Sequence, residues 1–179
     1  KLAEQMGSFG SQIIDGGMKE MSLEYYGEIT QHEISPLTTA AIKGALGVFL
    51  KDSVNYINAG LLAKQRGIKV SMTKTLQSEE YTNAIQLKLK TDKGEIALVG
   101  TLFTKKDPRI VRINQFYIDV ILSGHMLYVS NDDQPGIVGQ IGSIMGAAKV
   151  NIGGMYFGRE KKGGSAITVL NIDTVISDA

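Results

Sequence analysis

Apolar residues recur at Leu2, Met6, Phe9 and Ile13, the spacing of one face of an amphipathic helix, which Gly16-Gly17 ends. Met21, Leu23 and Tyr25 then alternate with polar neighbours and predict a strand. Ser35-Pro36 has the form of an N-cap and a first-turn proline, opening a helix that runs through about Lys51. Its expected buried stripe is Leu37, Ala41, Ala45, Val48 and Phe49, with Gly44 and Gly47 as points of close contact. Asn55 and Asn58 read as caps and turn formers, and a short helix from Gly60 to Arg66 stops at Gly67. From Ile68 the period changes to two, predicting half-solvated antiparallel strands around 69–73, 84–89 and 96–103. Asp92-Lys93-Gly94 and Lys106-Asp107-Pro108 supply turns, and the meander continues through 109–113 and 116–121.

A second pattern begins near His125. The strand Met126-Leu127-Tyr128-Val129 runs into Ser130-Asn131-Asp132-Asp133-Gln134-Pro135-Gly136, where Asp133 is expected to cap a helix reaching Lys149. Ile137, Ile141, Ile144, Met145 and Ala148 form its apolar face, while Gly136, Gly139, Gly142 and Gly146 form a narrow second stripe. Each interior glycine costs roughly 0.5–1 kcal/mol relative to alanine, so the stripe implies close contact with its own sheet, a partner chain or a ligand. Strands at 150–157 and 165–173 follow, separated by a Lys161-Lys162-Gly163-Gly164 turn. Ser177-Asp178 reads as the N-cap of one more helix. The order is βαββ, so a split βαββαβ sandwich would need a further helix and strand.

Composition narrows the chemistry. Nineteen Lys+Arg against eighteen Asp+Glu leave a formal net charge of +1, too little for a general nucleic-acid or anionic-membrane field. The absence of cysteine excludes disulfides, thiolate metal sites and Cys nucleophiles, and is compatible with a reducing cytoplasm. No apolar run is long enough to span a bilayer. His32 and His125 stand far apart and form no metal-spaced cluster. No set of nucleophile, base and orienting residue can be named. The first residues carry neither an initiator Met nor a signal-peptide apolar region, so the chain reads as a piece of something longer.

What remains is a site for a small ligand. The first N–H groups of a helix lack internal partners and lie at the positive end of its dipole, so the loop before Gly136 and Ile137 can receive a carboxylate. Asn131 and Asp133 on that loop, and Asn151 at the start of the next strand, can hold an ammonium and a hydroxyl, a combination suited to a free polar amino acid. For each of the three alone, satisfying loop backbone is the blander role. The glycine spacing lacks a G-x-G core and sits beside Asp132 and Asp133, which repel phosphate, so a dinucleotide site is rejected. Lys105, Lys106 and Arg109 form a basic hairpin, either a weak anion site or a solvated edge.

The stretch from Met126 to Asp173, with its Asn131-Asp132-Asp133-Gln134-Pro135-Gly136 and Val150-Asn151-Ile152, resembles the amino-acid-binding ACT domain. Upstream, residues 53–59, Gly100-Thr101-Leu102-Phe103 and Ile110-Val111-Arg112-Ile113-Asn114 resemble the intervening domain of long-form D-3-phosphoglycerate dehydrogenases. The resemblance implies an α+β chain: a linking helix over 1–17, a small mixed or antiparallel intervening domain over 18–124, and a ferredoxin-like ACT domain over 125–179 truncated after βαββ. It further implies that catalytic domains carrying NAD lie upstream, leaving this piece with no cofactor and no catalytic residue of its own. In that family L-serine, the end product, binds between ACT domains of neighbouring subunits in a cytoplasmic homo-oligomer and inhibits the first step of its own synthesis. Carried over by position, the effector site is Asn131, Asp133, Gly136, Ile137 and Asn151, with Asn131 standing where well-known members have His or Tyr. Some members carry a basic effector site in the intervening domain. Arg109 matches a basic position there, whereas Phe116, Tyr117 and Ile121 replace polar groups. The alternative from another class is an oligomerisation module whose ACT-like interface has lost its ligand.

Overall fold

The computed structural model describes residues 1–77, 80–104 and 106–176. Lys105, from the basic hairpin, and Ser177-Asp178, read as a helix cap, lie outside them. The chain is α+β and divides into two compact units, Lys1–Asn114 and Gln115–Ala179. By this division β6 (Phe116–Ile121) falls in the second unit.

In the first unit α1 (Leu2–Ile13), β1 (Met18–Gly27), α2 (Ser35–Leu50), α3 (Ala59–Gln65), β2 (Lys69–Thr75), β3 (Asn83–Thr91), β4 (Glu95–Leu102) and β5 (Pro108–Ile113) follow one another. Its strands lie in the order β2-β1-β3-β4-β5. Three pairings are antiparallel, but β2 runs parallel to β1, with Leu23 opposite Met72. The expectation of an all-antiparallel meander fails there because α2 and α3 carry the chain back across the sheet, and such a crossover returns a strand parallel.

The period-two residues behave as their spacing predicts except in β2, where Val70 and Met72 are exposed. Met21, Leu23, Tyr25, Leu87, Leu89, Leu98, Ile110 and Ile113 are buried on one sheet face, against which α1 packs while also lying along α2. Ala41 and Ala45 are buried, but Phe49 is exposed, so the real α2 stripe turns toward Thr38, Ile42 and Leu46. Ser35 is the first helical residue and not the cap. Glu33 takes the capping task, its Oε1 accepting from the Ser35 amide at 3.0 Å and from the Ser35 hydroxyl at 2.7 Å. Asn55 and Asn58 are turn formers as expected: Asn55 Oδ1 accepts from the amides of Ile57 and Asn58, and Asn58 Oδ1 from that of Asn55.

Tyr25, fully buried, shares a 2.8 Å hydrogen bond with Thr38 Oγ1 and so ties β1 to α2. Burial pushes its hydroxyl pKa up, so it stays a neutral hydrogen-bonding group. Tyr25→Phe is expected to destabilise the unit by about 1 kcal/mol in urea denaturation, the net worth of one buried neutral hydrogen bond; no change would mean Thr38 is equally well served by the Ile34 carbonyl.

The second unit contains β6, β7 (His125–Asp132), α4 (Ile137–Ala147), β8 (Ile152–Arg159) and β9 (Ser165–Ile172). The order β7-β9-β8 places the last strand in the middle, antiparallel to both neighbours. Ala166 to Leu170 on this central strand are all buried. Met145, Leu170 and Ile172 form the core beneath α4, with Leu127, Val129, Ile141 and Val150 against it. β6 packs on β8 and β9. At the crossing a side chain on Gly158 would stand 3.0 Å from Phe116 Cβ and from the Tyr117 carbonyl oxygen. Asn171 Nδ2 secures the link by donating to the carbonyls of Ile121 and Ser123 at 3.2 and 2.6 Å.

Helix α4 departs from expectation on its apolar face. Only the line Ile137, Ile141, Met145 turns to the sheet, while Ile144 is 66 % and Val138 53 % exposed. Among the described residues, nothing lies within 4 Å of where a Cβ on Gly136, Gly139, Gly142 or Gly146 would be. The stripe therefore makes no close approach to its own sheet.

Candidate functional site

The loop between β7 and α4 is shaped by its own backbone. The Asp132 carbonyl accepts from the Gln134 amide at 2.9 Å and from Asn131 Nδ2 at 2.8 Å, closing a tight turn. Gly136 has φ 96°, a left-handed conformation that a side chain disfavours, and it stands as the residue before the first helical one, Ile137. The amides opening α4 thus follow directly on the turn. Asn131 lies on the α4 side of the sheet, where its Oδ1 accepts weakly from Thr168 Oγ1 at 3.4 Å.

Asp133 does not cap the helix. Its Oδ2 accepts from Arg159 Nη1 at 3.0 Å and from the Gly163 amide at 3.1 Å, while its own amide donates to the Gly164 carbonyl at 2.8 Å. The Gly163 amide, and after it the Arg159 guanidinium, hold this carboxyl below the usual range. Asp133 is therefore ionised at neutral pH on the loop that leads into α4. The antiparallel register explains the contact, since Asp132 pairs with Ser165 and Arg159 with Ala166, bringing the β8–β9 turn beside the β7–α4 loop.

The same register sends Asn151 elsewhere. Ile152 and His125 both pair with Ile172, at the opposite end of the sheet from Asp132 and Ser165. The length of β9 separates the two ends, roughly 20 Å at strand rise. Expecting Asn151 to converge with Asn131 and Asp133 within one chain is therefore incorrect. Order along the chain placed them near, but α4 carries the chain back to the far end. There Asn151 Nδ2 donates to Asp173 Oδ2 at 2.7 Å, and the Asp173 amide donates to the Asn151 carbonyl. With its amide nitrogen so engaged, Asn151 presents Oδ1 as an acceptor.

Sequence reasoning missed Arg159 and Asp173, the partners that hold Asp133 and Asn151. The signal for Arg159 lay in the Lys161–Gly164 turn, whose hairpin returns Arg159 to the level of Asp132. In the first unit the basic hairpin is partly self-compensated. Arg109 donates to both Asp107 oxygens, Nε at 3.1 Å and Nη2 at 2.9 Å, and lies over the Phe103 ring. Its guanidinium holds the Asp107 carboxyl below the usual range. Lys106 is exposed on the same turn. A cavity of about 500 Å³ in this unit has largely apolar walls, among them Leu2, Ile29, Leu37, Ile85 and Leu102, with no carboxylate among the described residues that line it.

Residues 1–114 match the family described as the D-3-phosphoglycerate dehydrogenase intervening domain. Along nearly its whole length the chain is also similar to D-3-phosphoglycerate dehydrogenases, being 37% identical over 179 residues to that of a Synechocystis strain, with 99% of this chain and 32% of the relative covered. Identity is 34% to the Bacillus subtilis enzyme and 30% to that of Methanocaldococcus jannaschii, covering 34% and 33% of those proteins and 99% of this chain in each case. The chain spans about a third of the length of these relatives.

Proposed function

The chain belongs to the D-3-phosphoglycerate dehydrogenase intervening-domain family, and from that premise we propose that it is the regulatory part of such an enzyme, sensing L-serine through an ACT domain formed by its second unit. NAD and 3-phosphoglycerate are then handled by other domains of a cytoplasmic oligomer. The residues present do not fit NAD: the glycines of α4 stand in a unit of antiparallel strands, and the anionic Asp133 on the loop before the helix opposes a pyrophosphate.

The observation that carries this reading is the second unit, a β7–α4–β8–β9 fold with sheet order β7-β9-β8. One end bears an ionised Asp133 on the loop that leads into α4, and the other bears Asn151 with a carbonyl oxygen to offer. A zwitterion with a hydroxyl needs such a set. Because the two ends lie roughly 20 Å apart along one sheet, a complete site takes Asn131, Asp133, Gly136 and Ile137 from one copy and Asn151 from another. Serine bound there favours whichever arrangement of copies closes the site, and a preference of about 1–3 kcal/mol, the usual size of allosteric coupling, is enough for feedback.

The experiment is calorimetric titration of the 179-residue chain with L-serine, using glycine and L-alanine as controls. Saturable binding that favours serine is expected. Equal heats for all three would remove the sensor reading. The open glycine stripe and exposed Val138 and Ile144 on α4 favour a second reading, an interface between copies that holds no ligand. Sedimentation showing a stable oligomer that neither binds nor responds to serine would select it.

A further inference from the structure

We propose that Arg159 is a built-in competitor for the ligand's ammonium, occupying in the free chain the Asp133 carboxylate that the amino acid must claim. The inference rests on the sensor reading and adds a residue that sets its affinity. Both hydrogen bonds to the Asp133 side chain fall on one oxygen, Oδ2, one from Arg159 Nη1 and one from the Gly163 amide. These donors differ in kind. Gly163 is backbone in a turn closed by the Gly164 amide donating to the Lys161 carbonyl, so its N–H stays in place. Arg159 is a long side chain, 60 % exposed, whose guanidinium can leave Asp133 for water at small cost.

An incoming ammonium is a cation with three donors seeking the same carboxylate. When it displaces Arg159, Gly163 continues to hold Asp133 in position, so the carboxylate is oriented with or without the arginine. Arg159 is thus unnecessary for placing Asp133 and acts on affinity by competition. Free energy spent on separating the ion pair is subtracted from binding, and removal of the arginine returns it.

The test compares the wild-type chain with Arg159→Ala and Arg159→Lys by calorimetric titration with L-serine, with thermal melts to confirm that each is folded. Arg159→Ala is expected to bind serine roughly two- to fivefold tighter, the range set by an exposed ion pair. Arg159→Lys, which keeps the cation, is expected to stay near wild type. Binding by Arg159→Ala where wild type binds none also supports the proposal. If wild type binds and Arg159→Ala binds equally or more weakly, the arginine is a positioning residue and competition is overturned while the sensor reading stands. If neither folded protein binds serine, both fall together.

Discussion

Gly44→Val is expected to destabilise the first unit by about 3 kcal/mol or more, at or above the usual range for overpacking. Helices α1 and α2 meet through backbone. A Cβ on Gly44 would fall on the carbonyl oxygen of Glu4, and one on Gly7 would fall on that of Ala41. Side chains can rotate away from an intruding methyl, but a carbonyl fixed in a helical ladder cannot, so α1 would have to lift off α2. Lifting it uncovers Met6 and Phe9, which are buried on the sheet, and pulls on Glu4, whose carboxylate joins Lys43 of α2 and the Tyr56 hydroxyl. Lys43, and after it Tyr56, hold that carboxyl below its usual range. Gly60→Ala is the control: nothing lies within 4 Å of its Cβ position, so only helix propensity changes, a gain of roughly 0.5–1 kcal/mol. Urea denaturation followed by circular dichroism reads both. A Gly44→Val chain as stable as wild type would mean the two helices do not touch at these glycines.

Gly44 shows what the sequence made legible, whereas Gly7 was not read as a contact and Gly47, expected as one, meets only Val54 Cγ1 at 3.7 Å. Gly44 was readable as a contact point because it interrupts an apolar helical stripe, and the alternation of Met21, Leu23 and Tyr25 indicated which face of β1 is buried. Local turn chemistry was readable too, as in Asp92-Lys93-Gly94, where Thr91 Oγ1 accepts from the amides of Lys93 and Gly94. Three of the misreadings share a cause, a partner distant in sequence. Asp133 has the local form of a helix cap, yet its donors are Arg159 and Gly163, 26 and 30 residues on. The alternation in β2 fits a strand of either direction, and only the crossover through α2 and α3 makes it parallel. Asn151 follows closely on the Asn131–Asp133 loop in the chain, but a helix followed by an antiparallel register carries it to the far end of the sheet.

That separation leads to the strongest functional expectation. Asp133→Asn and Asn151→Ala, each as the sole chain, are expected to weaken L-serine binding at least about tenfold, since each removes a polar partner from every site. Neither should cost the fold: the amide that replaces the Asp133 carboxylate keeps an oxygen for the Gly163 N–H, and Asn151 is exposed. Co-expressed and purified as mixed oligomers through different tags, the two variants discriminate between site geometries. If one site takes Asp133 from one copy and Asn151 from the next, a mixed pair holds one site with both changes and one with neither. Half of its sites then bind serine with wild-type affinity. If all the groups came from a single chain, every site in the mixed pair would carry one change and no strong binding would return. A calorimetric stoichiometry near one half, at unaltered affinity, together with the loss of binding in Asn151→Ala alone, is the expected result; its absence from a folded mixed oligomer would mean that Asp133 and Asn151 serve each site from the same chain.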